Sequence, residues 1–299
     1  MAASITVAIP THNRRETVLM AVRSALAQSR PPEQVIVIAD GCSDGTQEAV
    51  EALHHPAVEV LDLPKAPGYG YANRNVALEH AGGDVVAWLC DDDLYLPDHL
   101  ERIGELYDGA AAELVQATAC WVHPDGRLRG MGMDWSVPLY RELLLSGHNR
   151  TPVSALSHLR SRALQVGGWP EDLPRKGDLV LLQRLVRAGS RCGFVAQPTV
   201  LHIRAADRDQ PEPERIRQIA SYMSRLGDRD ELARLRAEMA HGVQARLAEG
   251  EEYTSEIYRQ LVEALGERDE RERTLQAITS GRWWRLHERL EPVLRIARR

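Results

Sequence analysis

Four short apolar runs separated by segments of helical periodicity occupy the first 110 residues, and this alternation constrains the fold more than any other feature of the chain. The runs are ITVAIP (5–10), VIVIAD (35–40), VEVLDL (58–63) and VVAWLC (85–90). The first, second and fourth are apolar almost throughout, the pattern of parallel strands covered on both faces. Between them the spacing predicts helices over 16–28, 46–54 and 71–81. In the first of these Val18, Leu19, Val22, Ala25 and Leu26 recur at helical intervals. Strand–helix–strand units joined by right-handed crossovers give an α/β fold, a doubly wound, mostly parallel sheet flanked by helices.

In such sheets ligands bind beyond the carboxyl ends of the strands, and that rule sorts the polar residues. Thr11-His12-Asn13-Arg14 follows the first strand, Asp40-Gly41-Cys42-Ser43-Asp44-Gly45-Thr46 the second, and Asp91-Asp92-Asp93 the fourth. All three clusters are expected on one rim. Adjacent carboxylates at a buried strand end make sense opposite a hard divalent cation, Mg²⁺ or Mn²⁺, which takes oxygen ligands from protein and phosphate alike. The plainer reading is an acidic turn in which Asp93 or Asp98 caps the next helix.

A net charge of −6 speaks against a nucleic-acid partner. No apolar run reaches the ~20 residues of a membrane span, and MAASITVAIP looks like a first strand rather than a signal peptide. The four cysteines, Cys42, Cys90, Cys120 and Cys192, form no C-x-x-C pair, which suits free thiols in a reducing cytoplasm. Lys65 and Lys176 are the only lysines, a coding bias rather than a functional signal.

Beyond residue 113 the pattern turns to less regular strands with one helix over 178–188, expected as a second subregion packed on the sheet edge. From about 205 the chain is rich in Arg and Glu and reads as a helical C-terminal extension. Tyr253, Ile257, Leu261 and Leu265 lie there on one stripe, core or a homodimer seam. The last segment, 281–299, sets Trp283, Trp284, Leu286 and Leu290 among six arginines. It suits peripheral contact with an anionic membrane or docking on the body or a second copy; Pro292 interrupts a single long helix.

The blocks ITVAIPTHNRRETVLMAVRSALAQ, VIVIADGCSDGT, GYANRNVALEHAGGDVVAWLCDDDLYLPDHL and VGGWPEDLPRKGDLVLLQRLVRAG together resemble glycosyltransferase family 2 over residues 4–205. The resemblance implies a GT-A fold and an inverting transfer of sugar from a nucleotide donor, UDP- or dTDP-linked, to a hydroxyl acceptor. It divides the chain into a nucleotide-sugar-binding part (1–110), an acceptor and catalytic-base part (111–205) and the extension (206–299). It places Pro10, Thr11, His12, Asn13, Arg14 and Asp40 at the base and ribose and Arg74 near the base or phosphates. Asp91 and Asp92 fall in the metal-binding region, with His202 as a late metal or phosphate ligand.

The family commonly writes an acid where this chain has Cys90. It also has a Glu-Asp pair where this chain has Gly177-Asp178. The resemblance therefore leaves Asp178 as the base; read from the residues alone, Asp178 is a helix N-cap. Trp169 either walls the sugar pocket or packs the core. Two other readings follow from the same residues: a nucleotide-sugar-binding scaffold that has lost catalysis, suggested by Cys90 and Gly177, and a nucleotidyltransferase. The glycine-free PTHNRR loop disfavours the second, and no G-x-G-x-x-G follows the first strand to support a dehydrogenase.

Overall fold

The computed structural model describes residues 2–203 and 212–245. In chain order the first half runs β1 (Ile5–Thr11), α1 (Arg15–Leu26), β2 (Gln34–Asp40), α2 (Thr46–Glu51), β3 (Val58–Leu63), α3 (Tyr71–His80), β4 (Val85–Trp88), β5 (Leu94–Tyr95) and α4 (His99–Asp108). The second half contributes β6 (Leu114–Val122), β7 (Leu128–Met131), α5 (Pro138–Leu145), a 3₁₀ turn (Val153–Ala155), β8 (Leu156–Leu159), α6 (Arg160–Gln165), α7 (Gly177–Arg187), β9 (Cys192–His202) and α8 (Glu212–Gly227). Residues 229–245 are also helical.

The strands form one sheet in the order β3-β2-β1-β4-β8-β6-β9-β5, with β7 paired to β6. β3, β2, β1 and β4 are mutually parallel, so their carboxyl ends share an edge, as the sequence predicts. Alternate residues of these strands feed two cores, because successive side chains point to opposite faces. Val7, Ile9, Val35, Val37 and Ala87 pack with Val18, Val22 and Ala25 of α1 on one face. Ala8, Ile36, Ile38, Val86 and Trp88 pack with Leu78 of α3 and Leu181, Leu182 and Leu185 of α7 on the other. Coverage on both faces is why β1, β2 and β4 lack polar alternation.

Residues beyond 113 depart from the expected edge packing. They continue the sheet itself: β8 runs antiparallel to β4, β6 antiparallel to β8, and β9 parallel to β6. Two helices, α5 and α6, were not legible; at eight and six residues they are too short to display a period. β4 ends at Trp88, two residues before the predicted limit, because the chain turns there into the aspartates.

The described part of the C-terminal extension is helical as expected and packs onto the sheet. Ile219, Tyr222, Leu235 and Met239 bury themselves with Leu94, Leu96, Cys120 and Leu201, and Arg236 pairs with Asp98 at 2.7 Å. The stripe from Tyr253 to Leu265 and the segment 281–299 lie outside the described residues. Among the described residues no helix is long and apolar enough to cross a membrane.

The extension approaches β7 backbone to backbone: a Cβ on Gly242 would lie 2.5 Å from the Leu128 carbonyl oxygen, and one on Gly130 would lie 2.7 Å from Cα of Val243. Gly242→Val should therefore loosen this contact and cost about 1–3 kcal/mol, read as a lower denaturation midpoint and faster proteolysis within 212–245. Wild-type stability in that variant would show that the approach is not tight.

Candidate active site

The loops after β1 and β2 are tied to each other before they meet anything else. Asn13 adopts a left-handed conformation (φ 52°), rare outside glycine but tolerated by asparagine. Its Oδ1 accepts the Ser43 N–H at 2.8 Å, while the Arg15 N–H donates to Asp44 at 3.0 Å. His12 Nδ1 lies 2.7 Å from the Asp40 carbonyl oxygen. Thr11 is buried at the end of β1, and Pro10 is half-buried before it.

Asp40, buried at the end of β2, is held by the Lys65 ammonium (2.5 Å), the Ala66 N–H (2.7 Å) and the Asn73 side-chain amide (2.7 Å). Arg74 donates to the Tyr69 carbonyl and lies 5.4 Å from the ring centres of both Tyr71 and Trp169. Trp169 is only 2% exposed and makes a T-shaped contact with Trp88. Of its two readings, core packing is the one observed.

The three aspartates take three different environments. Asp91 receives the Arg14 guanidinium at 2.8 Å, and the same Nη1 reaches Asp92 at 3.0 Å. Asp92 also receives Arg215 of α8 at 3.4 Å. Asp93 is fully buried and has three partners: the Ser154 hydroxyl and the Ile203 N–H (2.9 Å) donate to it, and His202 Nδ1 lies 3.0 Å away. Neither Asp93 nor Asp98 caps α4 through its side chain; Asp98 instead pairs with Arg102 and Arg236.

Burial, then the neighbouring Asp91 and Asp93, pushes the Asp92 carboxyl up to about 7, although Arg14 and Arg215 work in the opposite direction. Ligand-type atoms of Cys90, Asp92 and Asp93 lie within 4.8 Å of one another. Burial raises the Cys90 thiol well above its ordinary value, with the aspartates adding to the effect, so it offers a neutral sulfur rather than a thiolate. What remains for a cation is a pair of carboxylate oxygens in a place short of positive charge. That donor set fits a hard divalent ion. The structure brings Asp92 and Asp93 together, turns Asp91 to Arg14, and sets His202 on Asp93.

Asp178 lies in the first turn of α7 but does not cap it. The N-cap position is Lys176, in a left-handed conformation (φ 62°), and its own side chain makes no capping hydrogen bond. The half-buried Asp178 carboxylate instead receives a long hydrogen bond from Asn149 Nδ2, 3.4 Å.

Residues 6–156 match the family described as Glycosyl transferase family 2, and the chain belongs to that family. It is 29% identical over 214 residues to the succinoglycan biosynthesis protein ExoO of Rhizobium meliloti (67% of this chain, 61% of that protein). It is 25% identical over 194 residues to the glycosyltransferase AglE of Haloferax volcanii, covering 64% of each. The chain thus spans less than two thirds of the length of these relatives. Among solved structures it is similar to residues 1–349 of S. aureus TarS in complex with UDP-GlcNAc. The TM-score there is 0.58 at 18% identity, over 75% of this chain and 66% of that one, a likeness of fold that agrees with the expected GT-A architecture.

Several residues at the site escape a reading of the sequence. Lys65 stands two positions beyond the carboxyl end of β3, so the rim rule applied to the third strand would have found it. Ser154 and Arg215 carry no local signal, since they meet the aspartates only through contacts 61 and 123 residues apart.

An unfolded chain releases an aspartate proton near pH 4, whereas folded Asp92 keeps it to about 7. Between these values the folded state holds the extra proton, so the contribution of Asp92 to stability falls as pH rises and is flat above about 7. The melting temperature of Asp92→Asn relative to wild type should therefore be higher at pH 8 than at pH 5. Mg²⁺ or Mn²⁺ should raise the wild-type value more at pH 8, and leave the variant unmoved. A difference independent of pH would place Asp92 among ordinary surface carboxylates.

Proposed function

We propose that the protein is an inverting glycosyltransferase that moves a sugar from a nucleoside diphosphate donor, UDP- or dTDP-linked, to a hydroxyl of a glycan, glycolipid or natural product. The observation that carries this reading is the convergence on one rim of Arg14, Asp40, Arg74 and the aspartates, beside a helix whose first turn presents Asp178. Family membership supports it, as do the succinoglycan biosynthesis named for ExoO and the UDP-GlcNAc present in the TarS structure.

In this reading Pro10, Thr11, His12, Asn13 and Asp40 border the base and ribose, and Arg14 and Arg74 add positive charge beside the diphosphate. Asp92 holds Mg²⁺ or Mn²⁺, with Asp93 the nearest second carboxylate. Asp91 orients Arg14, and His202 supports Asp93. A divalent ion bound there supplies stabilisation of the negative charge that gathers on the departing nucleoside diphosphate. Asp178 takes the proton of the acceptor hydroxyl as its oxygen attacks the anomeric carbon from the face opposite the leaving group, through an oxocarbenium-like state.

Calorimetry with UDP and dTDP, with and without Mn²⁺ or Mg²⁺, tests the donor site. Binding of one nucleotide should require the metal and vanish in Asp92→Ala. Asp178→Asn should bind that nucleotide like wild type and transfer sugar about 10²–10⁴-fold more slowly. Metal-independent binding that survives Asp92→Ala would remove the assigned metal site, and undiminished transfer by Asp178→Asn would remove the base.

A further inference from the structure

The first turn of α7 leaves its backbone N–H groups without intrahelical partners, and no side chain of α7 or of Lys176 serves as a cap. The acceptor comes from another helix: the Tyr71 hydroxyl oxygen, at the start of α3, receives the Gly177 N–H at 2.9 Å. Residue 177 can be nothing larger than glycine while Tyr71 is there. A Cβ at that position would lie 2.5–2.7 Å from three carbons of the Tyr71 ring. The ring therefore occupies the space a side chain at 177 would need, and Asp178 is left as the one acid in this turn.

Tyr71 is itself immobilised. It is 6% exposed and stacks on Trp169 with ring centres 5.7 Å apart and planes 7° from parallel. Trp169 meets Trp88 of β4 edge-on at 4.9 Å, and Trp88 Nε1 is bonded to His158 of β8 at 2.9 Å. The phenol is thereby referenced to the centre of the sheet. On the same helix end Asn73 holds Asp40 and Arg74 lies over the Tyr71 ring. Burial raises the phenol pKa, and the nearby Asp178 charge raises it further against the Gly177 bond, so the hydroxyl stays protonated at neutral pH.

We propose that Tyr71 is the positioning residue for Asp178, fixing the first turn of α7 against the helix that carries the donor-side residues Asn73 and Arg74. The proposal rests on the reading of Asp178 as the base. A displacement of about 1 Å at a reacting group is enough to cost up to about a hundredfold in rate, so a single buried hydrogen bond at this turn has catalytic weight. Tyr71 need not touch the reacting atoms to exert it.

The test uses the full chain and Tyr71→Phe, which keeps the ring and removes only the oxygen. Release of UDP from UDP-glucose or UDP-GlcNAc, or of dTDP from dTDP-glucose, with water as acceptor, provides the rate. In Tyr71→Phe kcat should fall about tenfold with donor KM within twofold of wild type. The same change made in Asp178→Asn should cause no further loss. Hydrogen exchange at the Gly177 amide gives an arm that needs no substrate, and its protection should be lost in Tyr71→Phe.

Wild-type kcat, an equal tenfold loss in the Asp178→Asn background, or unchanged protection at Gly177 would overturn the role of Tyr71 and leave the base assignment standing. Full turnover by Asp178→Asn would instead overturn the base assignment, and the role of Tyr71 with it.

Discussion

Three consecutive carboxylates in a mostly buried place are an electrostatic problem that the rest of this structure is arranged around. In a region of low effective dielectric, like charges a few ångströms apart repel by several kcal/mol, so each aspartate has to be compensated by something. Arg14 arrives from the loop after β1, Arg215 from α8, Ser154 from the turn before β8, and His202 and the Ile203 N–H from the end of β9. Four segments distant in sequence converge on three residues. Compensation falls short at Asp92, whose carboxyl is driven up to about 7 in spite of two guanidinium groups. The shortage of positive charge at that one oxygen pair is the physical content of the candidate cation site.

The same constraint gives reasons for features of the fold that the core alone would not require. β4 stops early and hands the chain to a two-residue strand, β5, which pairs with β9 and so brings His202 and Ile203 to Asp93. α8 packs its apolar face on β5, β6 and β9, and in doing so delivers Arg215 to Asp92. The described C-terminal helices therefore act as part of the site's electrostatic frame, and their second anchor, Arg236 on Asp98, lies only six residues beyond Asp92 in the sequence.

How far the sequence could be read follows from where each element's partners lie. β1, β2 and β4 were legible because burial on both faces writes itself into the composition of each strand, whereas β3, at the sheet edge, is only half-buried. The rim rule then placed Thr11, Arg14, Asp40 and Asp92 together before any coordinates. β6, β8 and β9 were harder, since their neighbours come from far along the chain and Gln116, Thr118 and Ser157 interrupt their apolar pattern. Asp93 looked like a capping residue because its true partners, Ser154 and Ile203, are 61 and 110 residues away. Asp178 looked like a cap for the same reason: helix-start statistics are local, whereas the acceptor for the first turn of α7 is a tyrosine 106 residues earlier.

Cys90 and Gly177, the two places where the chain departs from the acidic pattern it otherwise resembles, can be understood from these environments. At 177 the Tyr71 ring excludes any side chain. At 90 the position is half-buried, its N–H bonded to the Ser154 hydroxyl that also serves Asp93. A carboxylate there would bring a fourth negative charge into a cluster that two arginines already fail to balance. A thiol, kept protonated by burial and by the aspartates themselves, fills the same space without adding to the repulsion. Neutral residues at these two positions leave Asp92 the least compensated carboxylate of the cluster and Asp178 the one acid in the first turn of α7.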